Sequence, residues 1–166
     1  MKELKNYIRW GAILVAFLGT IFHFVYNWLG ENPLVGLFVP VNESTWEHMK
    51  LIFFPMIIFA LYSKKLSDVY PCLESAAALG TLVGTFLIPI LFYTYSGVLG
   101  FNLQIVDIST FYISTAIAFY IIYKVSLSCS AEPYKKLLSF LLVAVFVGFI
   151  VFTIFPPDIA IFRSPI

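Results

Sequence analysis

Charged residues are scarce in this sequence. Its 166 residues include 10 Lys and Arg and 9 Asp and Glu, so 11% are charged, whereas a soluble domain carries about a quarter. The net charge of +1 gives neither the basic field that attracts nucleic acid nor the acidic excess of a solvated tail. With 61% hydrophobic residues and a mean hydropathy of +0.95, the composition predicts a multi-pass protein of the cell membrane, whose first partner is the lipid bilayer.

Internal repeats and low-complexity linkers are also absent, and the short connections leave no room for a soluble domain. We therefore expect one domain over residues 1–166. A spanning helix needs about 20 apolar residues, and five apolar segments can be drawn: 7–29, 46–62, 76–95, 103–123 and 137–155. The first is too long for the apolar part of a signal peptide and lacks a cleavage site, so we expect it to remain as a span. The expected fold is all-α, a bundle of five transmembrane helices.

Basic residues are distributed unevenly between the ends of these segments. Those near the ends that share a side with the N-terminus are Lys2, Lys5, Arg9, Lys64, Lys65, Lys124, Lys135 and Lys136. Basic residues close to span ends are retained in the cytoplasm. The distribution therefore predicts a cytoplasmic N-terminus and a C-terminus on the outside.

Cysteine is rare as well, with only Cys72 and Cys129 in the chain. Under this orientation both map to cytoplasmic ends of spans, where a structural disulfide is not expected. Neither belongs to a metal-binding or redox motif. We therefore expect two unbonded, dispensable interfacial residues.

The ionisable residues within the spans gather toward the outer side. His23 lies about 9 Å below the outer end of the first span, and Asp107 about 6 Å below the outer end of the fourth. Glu47, His48 and Lys50 begin the second span from the outside. An ionisable group at membrane depth is costly and normally faces the bundle interior with a partner. We expect a small polar cavity that opens to the outside and is lined by spans one, two and four.

The densest polar segment is VNESTWEHMKLIFFP, residues 41–55. Ser44 and Glu47 fit a capping box, in which the serine caps the helix and the glutamate reaches back to the cap residue. Glu47 is also spaced to pair with Lys50 at i, i+3. This structural interpretation leaves His48 and the distant His23 unexplained.

A metal site explains both histidines. Two imidazoles and the nearby carboxylates form a ligand set for zinc or a similar divalent ion, and the candidate ligands are His23, Glu43, Glu47 and His48. In this interpretation Glu47 and Asp107 are the candidate catalytic groups. A buried hydrogen-bonded network competes with it, since no HExxH spacing is present. Haem held by His23 and His48 is a further alternative, although the chain has no CxxCH motif.

Several segments resemble a family of small bacterial integral membrane proteins known only as a domain of unknown function. They are HFVY at 23–26, an NESxWEHxK core at 42–50, YTYSGVLGFN at 93–102 with Asp107 shortly after, and FPPDIAIF at 155–162. The resemblance extends over nearly the whole chain. It implies membership of that family, but no activity.

Three functions fit these observations. The first is a metal-dependent hydrolase or transferase that acts on a lipid or lipid-linked substrate from the outer leaflet. The second is a protein that binds or transports a cation or small molecule in an acidic outer cavity. The third is an accessory subunit whose polar layer only fixes the packing of the helices.

Overall fold

The computed structural model describes residues 2–63, 66 and 68–165. The fold is all-helical, as expected, and no strand occurs in the described part of the chain. The α-helices are α1 (Lys2–Trp28), α2 (Pro33–Gly36), α3 (Thr45–Ser63), α4 (Leu73–Leu99), α5 (Gln104–Ser128) and α6 (Lys135–Ile154). Short 3-10 turns at Glu132–Tyr134 and Ala160–Phe162 flank α6.

Four helical segments in the described residues are long and apolar enough to cross a membrane: α1, α4, α5 and Glu132–Ile154, which includes α6. α3 corresponds to the second predicted span but is not among them. It has 19 residues, and Glu47, His48 and Lys50 near its start lower its mean hydropathy. The count of five spans therefore stays a prediction.

α3 lies at the centre of the bundle. It packs against α1 and α4, while α5 packs against the same two helices and α6 lies mainly against α4. Its side chains Met49, Ile52, Phe53 and Met56 are completely buried. Because α3 is surrounded by other helices, its polar first turns face protein groups and a cavity as well as the end of the bundle.

Glycines allow the helices to approach closely at two places in the bundle. A Cβ atom at Gly19 of α1 would lie 2.5 Å from the Leu51 backbone oxygen and 2.5 Å from the Phe111 ring. A Cβ at Gly80 of α4 would lie 2.4 Å from Ile122 on α5. Small residues provide this kind of close packing between helices in membranes.

The cysteine prediction is wrong, because a disulfide joins Cys72 and Cys129. α4 and α5 form an antiparallel hairpin in which Cys72 precedes α4 and Cys129 follows α5. The hairpin therefore brings two residues that are 57 positions apart to the same end of the bundle. The positions of the two cysteines along the chain do not show which helix ends are neighbours.

The disulfide end of the bundle also carries basic residues. Lys135 pairs with Glu74 at 2.6 Å, and Ser75 donates a hydrogen bond to Glu132 at 2.7 Å. Of the eight basic residues that predict the orientation, Lys64 and Lys65 lie outside the described residues, and the other six belong to helix ends on this side. The polar layer predicted from the sequence lies at the opposite end.

Candidate metal centre

The first turn of α3 organises the site. The Glu47 N–H donates to Ser44 Oγ at 3.3 Å, so the serine half of the predicted capping box is present. The Ser44 N–H instead donates to Asn42 Oδ1 at 2.9 Å, and the Glu47 carboxylate accepts from the Val41 N–H at 3.0 Å. This turn directs Glu47 and the next residue, His48, toward different surroundings.

His48 meets His23 of α1 and Glu43 of the preceding connection. Glu43 Oε2 lies 3.4 Å from His48 Nε2 and 3.7 Å from His23 Nε2. One possible ligand atom from each of the three residues lies within 4.8 Å of the others. The structure thus brings together three of the four residues predicted as metal ligands, and we call them the His–Glu cluster.

The ring of His48 is oriented by the backbone. Its Nδ1 lies 2.9 Å from the Ser44 carbonyl oxygen. A carbonyl oxygen only accepts hydrogen bonds, so Nδ1 carries a proton. Nε2 donates to the Glu43 carboxylate when the ring is protonated, and it offers its lone pair to an ion when the ring is neutral. Metal-binding histidines usually donate their second N–H in this way. Nε2, the atom suited to ligation, is the one that faces Glu43.

Glu43 has the charge state that a metal ligand requires. Its hydrogen bond with His48 lowers the pKa of the carboxyl group, partial burial opposes this change, and the nearby imidazoles of His48 and His23 lower the pKa further. The carboxylate is therefore ionised at neutral pH. Its side chain is 68% exposed, so it is the most accessible member of the cluster.

Asp107 lies in the same cavity as the His–Glu cluster. The cavity has a volume of about 700 Å³ and is lined by residues of α1, α3, α4 and α5. The Tyr95 hydroxyl donates a hydrogen bond to Asp107 Oδ1 and accepts one from the Leu103 N–H at 3.3 Å. Asp107 is thus a carboxylate oriented by Tyr95 beside the cluster.

Glu47, expected both as a ligand and as a catalytic group, lies outside the cluster. Its Oε2 accepts a hydrogen bond from Lys50 Nζ at 2.7 Å, and both residues are almost fully buried, at 2% and 0% exposed. Lys50 also donates to the Gly36 carbonyl oxygen at 2.8 Å and to Thr153 Oγ1 at 2.6 Å. A buried carboxylate requires such a partner. The i, i+3 pairing, which was the structural interpretation of this segment, is the one found.

Sequence reasoning missed the roles of Tyr95 and Thr153. A signal was present, because Tyr95 and Asp107 lie on either side of the short connection between α4 and α5. Thr153 contacts Lys50 from a position 103 residues away, and no local pattern indicates that pair.

The arrangement of the imidazoles favours a small ion over haem. The rings of His23 and His48 are in edge contact, with centroids 5.2 Å apart, and Glu43 lies against both. Axial histidines bind haem iron from opposite faces of a wide, flat ring system. Two imidazoles in mutual contact leave no slot for such a ring.

Comparison with known proteins gives one match. A family model described as "Family of unknown function (DUF6512)" matches residues 1–166. No curated protein and no solved structure matches the chain. The geometry of the site is therefore the basis for inferring a function.

Proposed function

Since the chain belongs to DUF6512, a family of unknown function, we propose a function from the site itself: a membrane-embedded, metal-dependent hydrolase or transferase that acts on a lipid or lipid-linked substrate. His23, Glu43 and His48 would hold the ion. The observation that carries the proposal is the hydrogen bond from His48 Nδ1 to Ser44, which presents Nε2 to the other two ligands. Two histidines and one glutamate with an open fourth position form a common set of catalytic zinc ligands.

The neighbouring residues fit this chemistry. Zinc in such sites lowers the pKa of a bound water to about 7 and polarises carbonyl or phosphoryl oxygens. Asp107 lines the cavity, and Tyr95 orients one of its oxygens, so Asp107 is the candidate general base. Glu47 has no role in this chemistry, because its carboxylate is paired with Lys50.

We also propose that α3 is a fifth span. Near one end of α1 and α3 the hydroxyls of Tyr7 and Ser63 are 3.1 Å apart, and near the other end the rings of His23 and His48 are in contact. α3 therefore runs antiparallel to α1. Its 19 residues correspond to about 28 Å, close to the roughly 30 Å thickness of a hydrocarbon core.

For the orientation we propose that the His–Glu cluster faces the outside, because it lies opposite the basic end of the bundle. The Cys72–Cys129 disulfide favours the reverse orientation, since it lies at that basic end and disulfides persist mainly in oxidising compartments. A reporter that is active only outside the cytoplasm, fused to the C-terminus, should be active. Activity of a cytoplasm-only reporter at the same position would show that the orientation is the reverse of the one proposed.

Metal analysis tests the central proposal. Protein purified in detergent without chelators should carry a stoichiometric divalent ion or gain thermal stability from added zinc, manganese or iron. His23→Ala, Glu43→Gln and His48→Ala should each abolish this binding, and their losses should not add because they share one site. Glu31→Gln is the matched control, since Glu31 is an exposed carboxylate in the same connection as Glu43. A wild type that neither carries nor responds to metal would disprove the metal centre.

A further inference from the structure

The wall of the cavity between α1 and α5 is a single layer of side chains. Thr20 and Phe24 of α1 and Ile108 and Tyr112 of α5 line this part of the cavity. Within each helix the two residues are four positions apart, so they share one face. All four are also exposed, with Phe24 at 48%, Ile108 at 52% and Tyr112 at 45%, and from this large exposure we infer that they face the surroundings of the bundle as well as the cavity. A side chain that is exposed on both sides has no second layer behind it.

The depth of this wall places it beside lipid acyl chains. Phe24 and Thr20 lie four and eight residues before the end of α1. Ile108 and Tyr112 lie four and eight residues after the start of α5. These positions are about 6 Å and 12 Å from the helix ends, whereas half of a hydrocarbon core is about 15 Å thick. If both helices span the membrane, the wall faces the hydrocarbon of one leaflet.

A single hydrogen bond between side chains closes the lower part of the wall. Thr20 Oγ1 donates to the Ala16 carbonyl oxygen at 2.8 Å, which uses its only proton. The Tyr112 hydroxyl, 3.0 Å away, is therefore the donor in its bond with Thr20. At a similar depth, Gly19 of α1 approaches the Phe111 ring of α5 closely. Toward the helix ends, the apolar side chains of Phe24 and Ile108 form the wall.

The lining of the cavity combines polar residues, among them the His–Glu cluster, Asn102, Gln104 and Asp107, with apolar ones. His23 immediately precedes Phe24, so the His–Glu cluster lies just behind the wall. The apolar lining includes Leu51, Ile88, Phe92 and Phe111. This combination suits a molecule with an oxygen-rich head and an apolar chain, and does not suit a uniformly polar solute.

We propose that the wall between α1 and α5 is a lateral portal for a phosphate-bearing, single-chain or double-chain membrane lipid. The phosphate would lie at the His–Glu cluster, and an acyl chain would leave the cavity between Phe24 and Ile108. We assign a phosphate to the head group because its oxygens bind divalent ions well. The proposal rests on the proposed metal function for the head group, whereas the portal itself rests on the exposed wall.

Two probes with the same head group separate the contribution of the chain. Zinc-treated protein in detergent is titrated with lauroyl lysophosphatidic acid and with glycerol 3-phosphate, which lacks the acyl chain. Burial of each methylene group strengthens binding by about 4-fold, so the lysolipid should bind at least about 10-fold more tightly than glycerol 3-phosphate even if only two methylene groups are buried.

Tryptophan substitutions test the route. Ile108→Trp should fill the portal and weaken binding of the lysolipid by about 10-fold, the effect of displacing two methylene groups, with zinc and glycerol 3-phosphate binding unchanged. The matched control is Ile113→Trp, because Ile113 is 49% exposed on α5 and does not line the cavity. Phe24→Trp repeats the test from α1 if Ile108→Trp does not fold. Tyr112→Phe should speed release of the lysolipid, since it removes the bond that closes the wall.

The outcomes distinguish the portal from the metal centre. If zinc binds but the two probes bind equally, or Ile108→Trp behaves like Ile113→Trp, the portal is overturned and the metal proposal stands. If zinc does not bind but the lysolipid still binds in an Ile108-sensitive manner, the metal proposal fails and the portal stands. If neither zinc nor the lysolipid binds, both are overturned.

Discussion

Two polar clusters include residues from the first turns of α3, and they differ in how their charges are compensated. Lys50 and Glu47 form the buried cluster, where all three Lys50 protons have acceptors within 2.8 Å. His48, adjacent to Glu47 in sequence, belongs to the His–Glu cluster, which faces a cavity and includes a largely exposed carboxylate. A ligand would have to break the short, buried hydrogen bonds of Lys50 to reach the first cluster, whereas at the second it would replace only the contact between His48 and the exposed Glu43 carboxylate. The same dense polar segment therefore contributes to both a buried ion pair and the candidate metal site.

The buried pair of Glu47 and Lys50 also supports the His–Glu cluster. Lys50 donates to the Gly36 carbonyl oxygen, and Glu47 accepts from the Val41 N–H. Both contacts hold the connection between α1 and α3, which carries Glu43 to the two histidines. The buried Glu47–Lys50 ion pair therefore anchors the loop that brings Glu43 into the His–Glu cluster.

Removing one charge of the buried pair should have the largest effect. Lys50→Met leaves the Glu47 carboxylate buried without its partner, which typically costs about 3–5 kcal/mol. Unfolding in detergent should show this loss, and Glu47→Gln combined with Lys50→Met should restore part of it. Lys136→Met is the control, because Lys136 is exposed. If Lys50→Met is no less stable than Lys136→Met, the pairing of Glu47 with Lys50 does not stabilise the fold.

Loss of the disulfide should be the next largest effect and should be confined to stability. Cys72→Ala with Cys129→Ala should cost about 2–4 kcal/mol, the usual range for a native disulfide. Zinc affinity should remain unchanged, since the His–Glu cluster lies at the other end of the bundle. Thermal unfolding and zinc titration of the same samples measure both quantities. A parallel fall in zinc affinity would mean that the two ends are coupled.

Zinc binding should separate the two clusters directly. At a free zinc concentration of about 100 times Kd, a bound ion stabilises the folded state by about 2.7 kcal/mol. His48→Ala should lose this gain with little change in the stability of the metal-free protein. Glu47→Gln should lower the stability of the metal-free protein but keep a zinc-dependent gain. The opposite pattern would assign the ion to the buried cluster.

The sequence could predict depth but not direction around a helix axis. The helical rise placed His23, His48 and Asp107 in one layer, and the structure has all three lining one cavity. The sequence could not show that Glu47 and His48 face different surroundings. After its first turns α3 is apolar on all sides, so its pattern does not define which side faces the cavity. The disulfide was missed for a related reason, since depth does not identify neighbouring helices. The rotation of a helix about its axis and the identity of its neighbours both depend on packing between segments that are distant in the sequence.

The smallest expected effect concerns Glu43 in the metal-free protein. Its hydrogen bond with His48 lowers the pKa of the Glu43 carboxyl, so the folded state binds this proton less readily than the unfolded chain does. The resulting stability is present above the unfolded-state pKa and disappears as the pH falls through the lowered folded-state pKa. With a chelator present, wild type should be slightly more stable than Glu43→Gln at neutral pH and equally stable in acid. A stability difference between wild type and Glu43→Gln that is constant with pH would mean that Glu43 acts through packing and not through its charge.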